Sequence, residues 1–156
     1  MAIEVERRFL VVGEAWRAQA GEPERIVQGY VTHAAGVVVR IRKVGGAAFV
    51  TLKGARQGPA RTEFEYPIPA SDADAMLGEL CVGPIVEKDR YHVEHDGRPW
   101  IVDVYRGDAE GMVIAEVELD DPRQIVSPPA WAGREVTGAP QYSNRAIAAA
   151  TARNAA

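Results

Sequence analysis

Charged side chains recur at two-residue spacing in five segments of this chain: Glu4, Glu6 and Arg8; Arg40 and Arg42; Glu63 and Glu65; Lys88 and Arg90; Glu116 and Glu118. On a β-strand such residues share a face, so Glu4, Glu6 and Arg8 project opposite Ile3, Val5 and Phe9, leaving Arg7 as a misfit on the apolar side. Lys53 and Asp103 add single charges beside Leu52, Val102 and Val104. The plain alternative is a solvated sheet face over an oily core. Against it, most of the pairs are of one sign. Arg40 and Arg42, about 7 Å apart on one face at an effective dielectric near 20, would repel by roughly 2 kcal/mol without an external partner. Clustered carboxylates offer hard oxygen donors suited to Mg²⁺ or Mn²⁺, while arginine forks and lysine ammonium groups are the usual phosphate ligands. The acids Glu4, Glu6, Glu63, Glu65, Asp103, Glu116 and Glu118 slightly outweigh the bases Arg8, Arg40, Arg42, Lys53, Lys88 and Arg90. Two divalent cations would reverse that balance, and a short polyphosphate would then nearly neutralise it. The chemistry indicated is the handling of a metal-bound polyphosphate inside a charged lumen.

Strands must position these residues. Glycine-containing turns at Gly45-Gly46 and Asp96-Gly97 set hairpins between Val37–Lys43 and Ala47–Lys53, and between Tyr91–His95 and Trp100–Tyr105. With Ile3–Val11, Arg25–Val31, Arg61–Ile68 and Met112–Leu119, about eight antiparallel strands are expected, about enough to close a small barrel that holds one ligand. The expected fold class is α+β, mainly β, an eight-stranded antiparallel closed barrel with flanking helices. Ser71 with Asp74 offers a capping signal before Ala73, Met76, Leu77 and Leu80; Arg145 to Ala152 is an alanine-rich helix, and a third helix is expected around Trp16. Consecutive prolines make Ser127 to Trp131 an ordered loop.

The 156 residues, 47% hydrophobic and 26% charged, suit one domain over 1–156. A formal net charge of -4 argues against a general nucleic-acid binder, and no apolar run is long enough for a membrane helix; the expected location is cytoplasmic. The single cysteine, Cys81, reads as a structural thiol. His92 and His95 point to opposite strand faces and make no metal pair, His33 reads as a turn residue, and Trp16, Trp100 and Trp131 read as packing aromatics. Gly45-Gly46 near Lys43 lacks the spacing of a phosphate-cradling loop.

The ordered series Glu4-Val5-Glu6-Arg7-Arg8-Phe9, Gln28-Gly29-Tyr30, Val39-Arg40-Ile41-Arg42, Thr51-Leu52-Lys53-Gly54, Glu63-Phe64-Glu65-Tyr66, Glu87-Lys88-Asp89-Arg90-Tyr91, Val102-Asp103-Val104-Tyr105 and Ala115-Glu116-Val117-Glu118 resembles the CYTH superfamily, the triphosphate tunnel metalloenzymes. Trp131 to Thr137 and Tyr142-Ser143-Asn144 are similar to its compact bacterial members. The resemblance covers nearly the whole chain. It implies a tunnel that binds a triphosphate group and cleaves or rearranges it with Mg²⁺ or Mn²⁺. Glu4, Glu6, Asp103, Glu116 and Glu118 take the metal-binding positions and Arg40, Arg42, Lys53, Lys88 and Arg90 the phosphate-binding ones. Glu63 and Glu65 share the face, as further metal ligands or as groups that orient the bases.

The departure is Arg8, which stands where the family pattern has a lysine that works with a tyrosine, here Tyr30, to position or activate water. Arginine stays protonated, so Arg8 can hold phosphate but cannot act as a base. Only Lys43, Lys53 and Lys88 are lysines among 18 basic residues. The resemblance implies an inorganic triphosphatase, with Arg8 and Tyr30 in the catalytic positions. The alternatives are a nucleoside or thiamine triphosphatase, a CYTH-type adenylate cyclase, or a non-catalytic binder of polyphosphate or nucleotide. The expected partner is a small-molecule polyphosphate or nucleoside triphosphate, with no nucleic acid and no membrane; a homodimer is left open.

Overall fold

Alternating side chains and glycine turns produce nine strands in the computed structural model, which describes residues 3–32 and 36–155, the side chains of Thr32 and 151–155 excepted. They are β1 (Ile3–Val11), β2 (Glu24–Thr32), β3 (Val38–Val44), β4 (Ala47–Lys53), β5 (Ala60–Pro67), β6 (Val82–His95), β7 (Arg98–Tyr105), β8 (Val113–Glu118) and β9 (Ala132–Glu135), with helices α1 (Ala70–Glu79) and α2 (Asn144–Ala155). Adjacent strands pair antiparallel in the order β5-β4-β3-β2-β6-β7-β8-β1. The ring closes where Ile3–Val5 of β1 pair with Ala60–Thr62 of β5, giving the eight-stranded barrel.

The charged faces of the strands turn inward and the apolar faces turn outward, where three clusters cover them. Val5, Phe9, Val93, Trp100, Val102 and Val117 pack with Trp16 and Trp131 on one side. Ile41, Ala48 and Ala73 pack under α1 on another, and Ile147 and Ala148 of α2 pack on Tyr30, Val86, Tyr105 and Ile114. The three tryptophans are packing aromatics: Trp100 lies 5.6 Å from Phe9 and 5.7 Å from Trp131, ring centre to ring centre, and Trp16 is 1% exposed. Arg7, the misfit on the outer face, is compensated by two 2.8 Å hydrogen bonds to the Glu135 carboxylate on β9.

Several expected boundaries shift. The strand expected at Tyr91–His95 begins at Val82, because Gly83, at φ +74, and Pro84 bend the strand without ending it. That extension packs tightly on β2: a Cβ at Gly29 would stand 2.7 Å from Ile85 Cδ1 and 2.8 Å from Cys81 Sγ. β9 is an added short strand along β1, where a Cβ at Gly133 would meet Val12 Cγ2 at 2.7 Å. α1 starts one residue before Ser71, and Pro69 O, not the Ser71 hydroxyl, receives the first helical N–H groups, from Asp72 and Ala73. The helix expected around Trp16 is a 3₁₀ segment, Ala15–Gln19. His33 lies outside the described residues. Among the described residues, no helix is long and apolar enough to cross a membrane.

Candidate active site

The inward faces enclose a cavity of about 740 Å³ that opens to solvent and is lined from all eight barrel strands, together with the loop after β4 and the start of α2. Glu4, Glu6, Arg8, Tyr30, Arg40, Arg42, Lys53, Glu63, Glu65, Arg90, Glu116 and Glu118 all border it. Strand register makes many of them neighbours. Arg8 lies opposite Glu116, Glu4 opposite Arg61, Lys53 opposite Glu63, and Arg90 opposite Asp103.

These pairings become ion pairs. Arg8 Nε donates to Glu116 at 3.0 Å, Arg61 Nε donates to Glu4 at 2.9 Å, and Lys53 Nζ stands 2.6 Å from Glu63 and 3.1 Å from Glu4. Arg40 Nη2 donates to Thr51 at 3.0 Å and to Glu65 at 3.2 Å, and Arg56 Nη2 reaches Glu6 at 2.8 Å. Arg42 differs. Its Nε donates to Gln28 Oε1 at 2.9 Å, and it pairs with no carboxylate among the described residues. Burial, with the positive charge of Arg40 and Arg90 beside it, lowers Arg42 to about 10. Two further cationic N–H groups, Arg8 Nη2 and Arg40 Nε, are buried without a hydrogen-bond partner. Unpaired buried donors of this kind are costly unless an anion satisfies them.

Lys88 and Asp103 share the predicted face but do not border the cavity. Both are 0% exposed and form the floor beneath it. Lys88 Nζ donates to Asp103 at 2.5 Å and to Asn144 Oδ1 at 3.1 Å, while Arg90 clamps Asp103 with two 2.8 Å hydrogen bonds. Burial lowers Lys88 to about 7 against the pull of Asp103. Burial pushes Asp103 up, yet Lys88 and Arg90 outweigh it and hold the carboxyl well below the ordinary range. A carboxylate so engaged is a support for Arg90 more readily than a metal ligand.

Four of the remaining acids fall into two groups. Burial raises Glu4 and Glu116, but the neighbouring cations win: Lys53 and Arg61 lower Glu4, and Arg8 and Arg90 lower Glu116. Glu6 and Glu63 move the other way. Burial raises both, and Glu6 is pushed further by the charges of Glu116 and Glu4. Repulsion among Glu4, Glu6 and Glu116 is the kind a divalent cation offsets, and their oxygens are hard donors. Among the described residues, no group of three such side chains already converges to hold a metal ion, each carboxylate leaning instead toward an arginine or lysine. Tyr30 is buried and raised by that burial; its hydroxyl accepts from Gln28 Nε2 at 2.9 Å. Arg8 is held firmly protonated: burial acts to lower it, but Glu116 and other anions nearby raise it above its ordinary value.

Three arginines at the cavity fall outside the set expected from the sequence: Arg56, Arg61 and Arg145. Arg61 continues the rhythm of Glu63 and Glu65 two residues upstream, so the signal for it is present. Arg56 sits in a loop and Arg145 at a helix start, where no strand period applies. With these three included, the cavity wall carries eight arginine or lysine side chains against six glutamates, a net positive surface even before any metal binds.

Comparison with known proteins matches residues 2–145 to the CYTH domain model. An inorganic triphosphatase from Acetivibrio thermocellus is 41% identical over 145 residues, spanning 92% of each chain. The crystal structure of another inorganic triphosphatase superposes with a TM-score of 0.65 at 33% identity, covering 92% of this chain and 96% of that one. A protein from Pyrococcus horikoshii shares the fold, with a TM-score of 0.58 at 19% identity over 76% of this chain and 80% of its own.

Proposed function

The chain belongs to the CYTH domain family, and on that premise we propose that it is an inorganic triphosphatase, hydrolysing tripolyphosphate to pyrophosphate and orthophosphate inside the barrel. The observation that carries this reading is the positive wall of the cavity: Arg42 without a carboxylate partner, beside Arg40 and Arg8 with buried N–H groups that nothing among the described residues accepts. A chain of phosphate oxyanions supplies those acceptors.

Arg40, Arg42, Lys53 and Arg90 would hold the non-bridging oxygens, with Lys88 acting from below through Asp103. Water would attack the terminal phosphorus, forming the new P–O bond as the P–O–P bridge breaks. Positioning and charge stabilisation account for most of such catalysis. Arg8, which stays protonated, would serve as a charge on the phosphate, while Tyr30, neutral and hydrogen-bonded by Gln28, would order the water rather than take its proton. Glu4, Glu6, Glu116 and Glu118 would hold Mg²⁺ or Mn²⁺, with Glu63 and Glu65 orienting the bases; the metal, when bound, neutralises charge on the phosphate oxygens. We place the enzyme in the cytoplasm.

The inorganic substrate is preferred over a nucleotide because, among the described residues, Tyr30 and His92 are the rings at the cavity wall, and Tyr30 is held by Gln28. The test is phosphate release from tripolyphosphate, pyrophosphate, ATP and thiamine triphosphate, each with Mg²⁺ or Mn²⁺ and with chelator. The expected result is turnover of tripolyphosphate above the others, abolished by chelator. Faster turnover of ATP or thiamine triphosphate would move the assignment to a nucleotide enzyme, and tight tripolyphosphate binding without release would make the protein a binder.

A further inference from the structure

Gln28 is 0% exposed and does not border the cavity, yet its side-chain amide joins two residues that do. Gln28 and Tyr30 are two residues apart on β2 and so share its inward face; the register with β3 sets Gln28 opposite Arg42 and Tyr30 opposite Arg40. Gln28 Oε1 accepts from Arg42 Nε at 2.9 Å, and Gln28 Nε2 donates to the Tyr30 hydroxyl at 2.9 Å.

Donor and acceptor capacity fixes the direction of this chain. A guanidinium only donates, so the amide atom that faces Arg42 has to be the carbonyl oxygen. The amino group then faces Tyr30, and because it cannot accept, the Tyr30 oxygen has to. The hydroxyl hydrogen is left over. It has no acceptor among the described residues, and Tyr30 borders the cavity. Arg42 is in a similar condition: with Nε taken by Gln28, its two terminal amino groups make no hydrogen bond among the described residues. One buried amide thus leaves a hydroxyl hydrogen and half a guanidinium fork available to a ligand in the same space.

We propose that Gln28 is a positioning residue for the hydrolysis: it holds the Arg42 fork for phosphate and leaves the Tyr30 O–H as a donor to an oxygen of the substrate or of the attacking water. The inference rests on the triphosphatase reading and adds to it a buried residue that touches neither substrate nor water. It also separates two substitutions by their chemistry. A glutamate at this position still accepts from Arg42 but accepts from Tyr30 as well, which reverses the hydroxyl and withdraws the donor from the cavity. A methionine fills the space and makes neither bond.

The experiment is a pair of double-mutant cycles on the full chain, with folding of each variant verified by circular dichroism. The first reads kcat for tripolyphosphate with Mg²⁺. Gln28→Glu is expected to lower kcat by about tenfold in the wild-type background and by at least about threefold less in Tyr30→Phe, where the hydroxyl it reverses is already gone. The second reads tripolyphosphate affinity by calorimetry. Gln28→Met is expected to weaken binding by about fivefold alone and by less than about twofold beside Arg42→Met. In the wild type, the side-chain amide signals of Gln28 and the Arg42 Nε–H signal are expected to shift as tripolyphosphate is added, a reading that needs no variant to fold. Equal losses in both backgrounds of either cycle, or Gln28 and Arg42 side-chain signals that stay fixed while tripolyphosphate binds, would reduce Gln28 to packing and leave the triphosphatase reading intact. If the wild type binds tripolyphosphate but releases no phosphate, the triphosphatase reading falls together with the Tyr30 half of the inference, and the calorimetric cycle alone decides the Arg42 half.

Discussion

Asn144 Oδ1 accepts hydrogen bonds from Lys88 Nζ, at 3.1 Å, and from the Tyr105 hydroxyl, so one amide oxygen ties the start of α2 to the buried floor of the barrel. Replacing Asn144 with Ala strands two buried donors at once. A buried donor left unsatisfied costs roughly 1–3 kcal/mol, and the melting temperature should fall by about 4–8 °C. Thermal unfolding followed by circular dichroism would check it. The accompanying rise in KM for tripolyphosphate should exceed that of a surface variant with the same loss of stability, since the helix start would no longer be held at the cavity.

Glu6 is raised by burial and by Glu116 and Glu4, so at neutral pH its ionised form is held at a cost. The sign is that of a carboxyl whose folded pKa exceeds its unfolded one: stability is fully present below the unfolded value and declines as pH rises through the folded one. Glu6→Gln removes that cost while deleting a metal donor. The metal-free protein should melt about 2 °C higher at pH 7, and phosphate release should fall by about a hundredfold or more. A variant that melts lower and still turns over would contradict both halves.

Lys88 shows the opposite titration. Its folded pKa, about 7, lies below the roughly 10.4 of an unfolded lysine, so between these values the unfolded chain binds more protons and stability rises with pH. Urea denaturation of the wild type at pH 7, 8 and 9 should show midpoints that climb. Lys88→Met should flatten that climb without erasing it, because Lys53, lowered chiefly by burial, contributes in the same direction.

Gly29 offers a packing test remote from the charges. Gly29→Ala places a methyl group 2.7 Å from Ile85 Cδ1 and 2.8 Å from Cys81 Sγ, an overlap expected to cost about 1–3 kcal/mol. Adding Cys81→Ala should recover part of the loss, because it removes the sulfur and leaves on that side only the residue's Cβ, at 3.0 Å. A denaturation midpoint for the double variant at or below that of Gly29→Ala would show that the Ile85 side of β6 alone sets the limit.

The inward face is legible in the sequence because a strand period of two is rigid: once Glu4 and Glu6 share a face, Arg8 must join them, and register then carries the rule from strand to strand. Depth is not legible. Lys88 and Asp103 obey the same rhythm as Arg90 and Glu116, yet they lie below the cavity because α2 and Tyr105 cover that level, and no local pattern records which level a distant helix will cover. Arg145 is hidden for a related reason, since its place at the cavity depends on where Asn144 is fastened. The early part of β6 escapes because Gly83-Pro84 looks like a stop, and β9 escapes because four residues around Gly133 carry too little alternation to register.

β1 divides one edge between two partners, giving Ile3–Val5 to β5 and Phe9 and Val11 to β9, while β8 occupies the other edge. β1 precedes all three of its partners in the chain, so its Arg7 must wait for Glu135, 128 residues later, to leave the exit channel. Until β8 emerges the ring of the nascent chain cannot close, and an open sheet with its outer apolar face bare is the condition in which chaperone capture and off-pathway clumping compete with closure. Slow synthesis gives this barrel little head start, and a circular permutant that places β1 after β9 should close sooner after its last strand emerges.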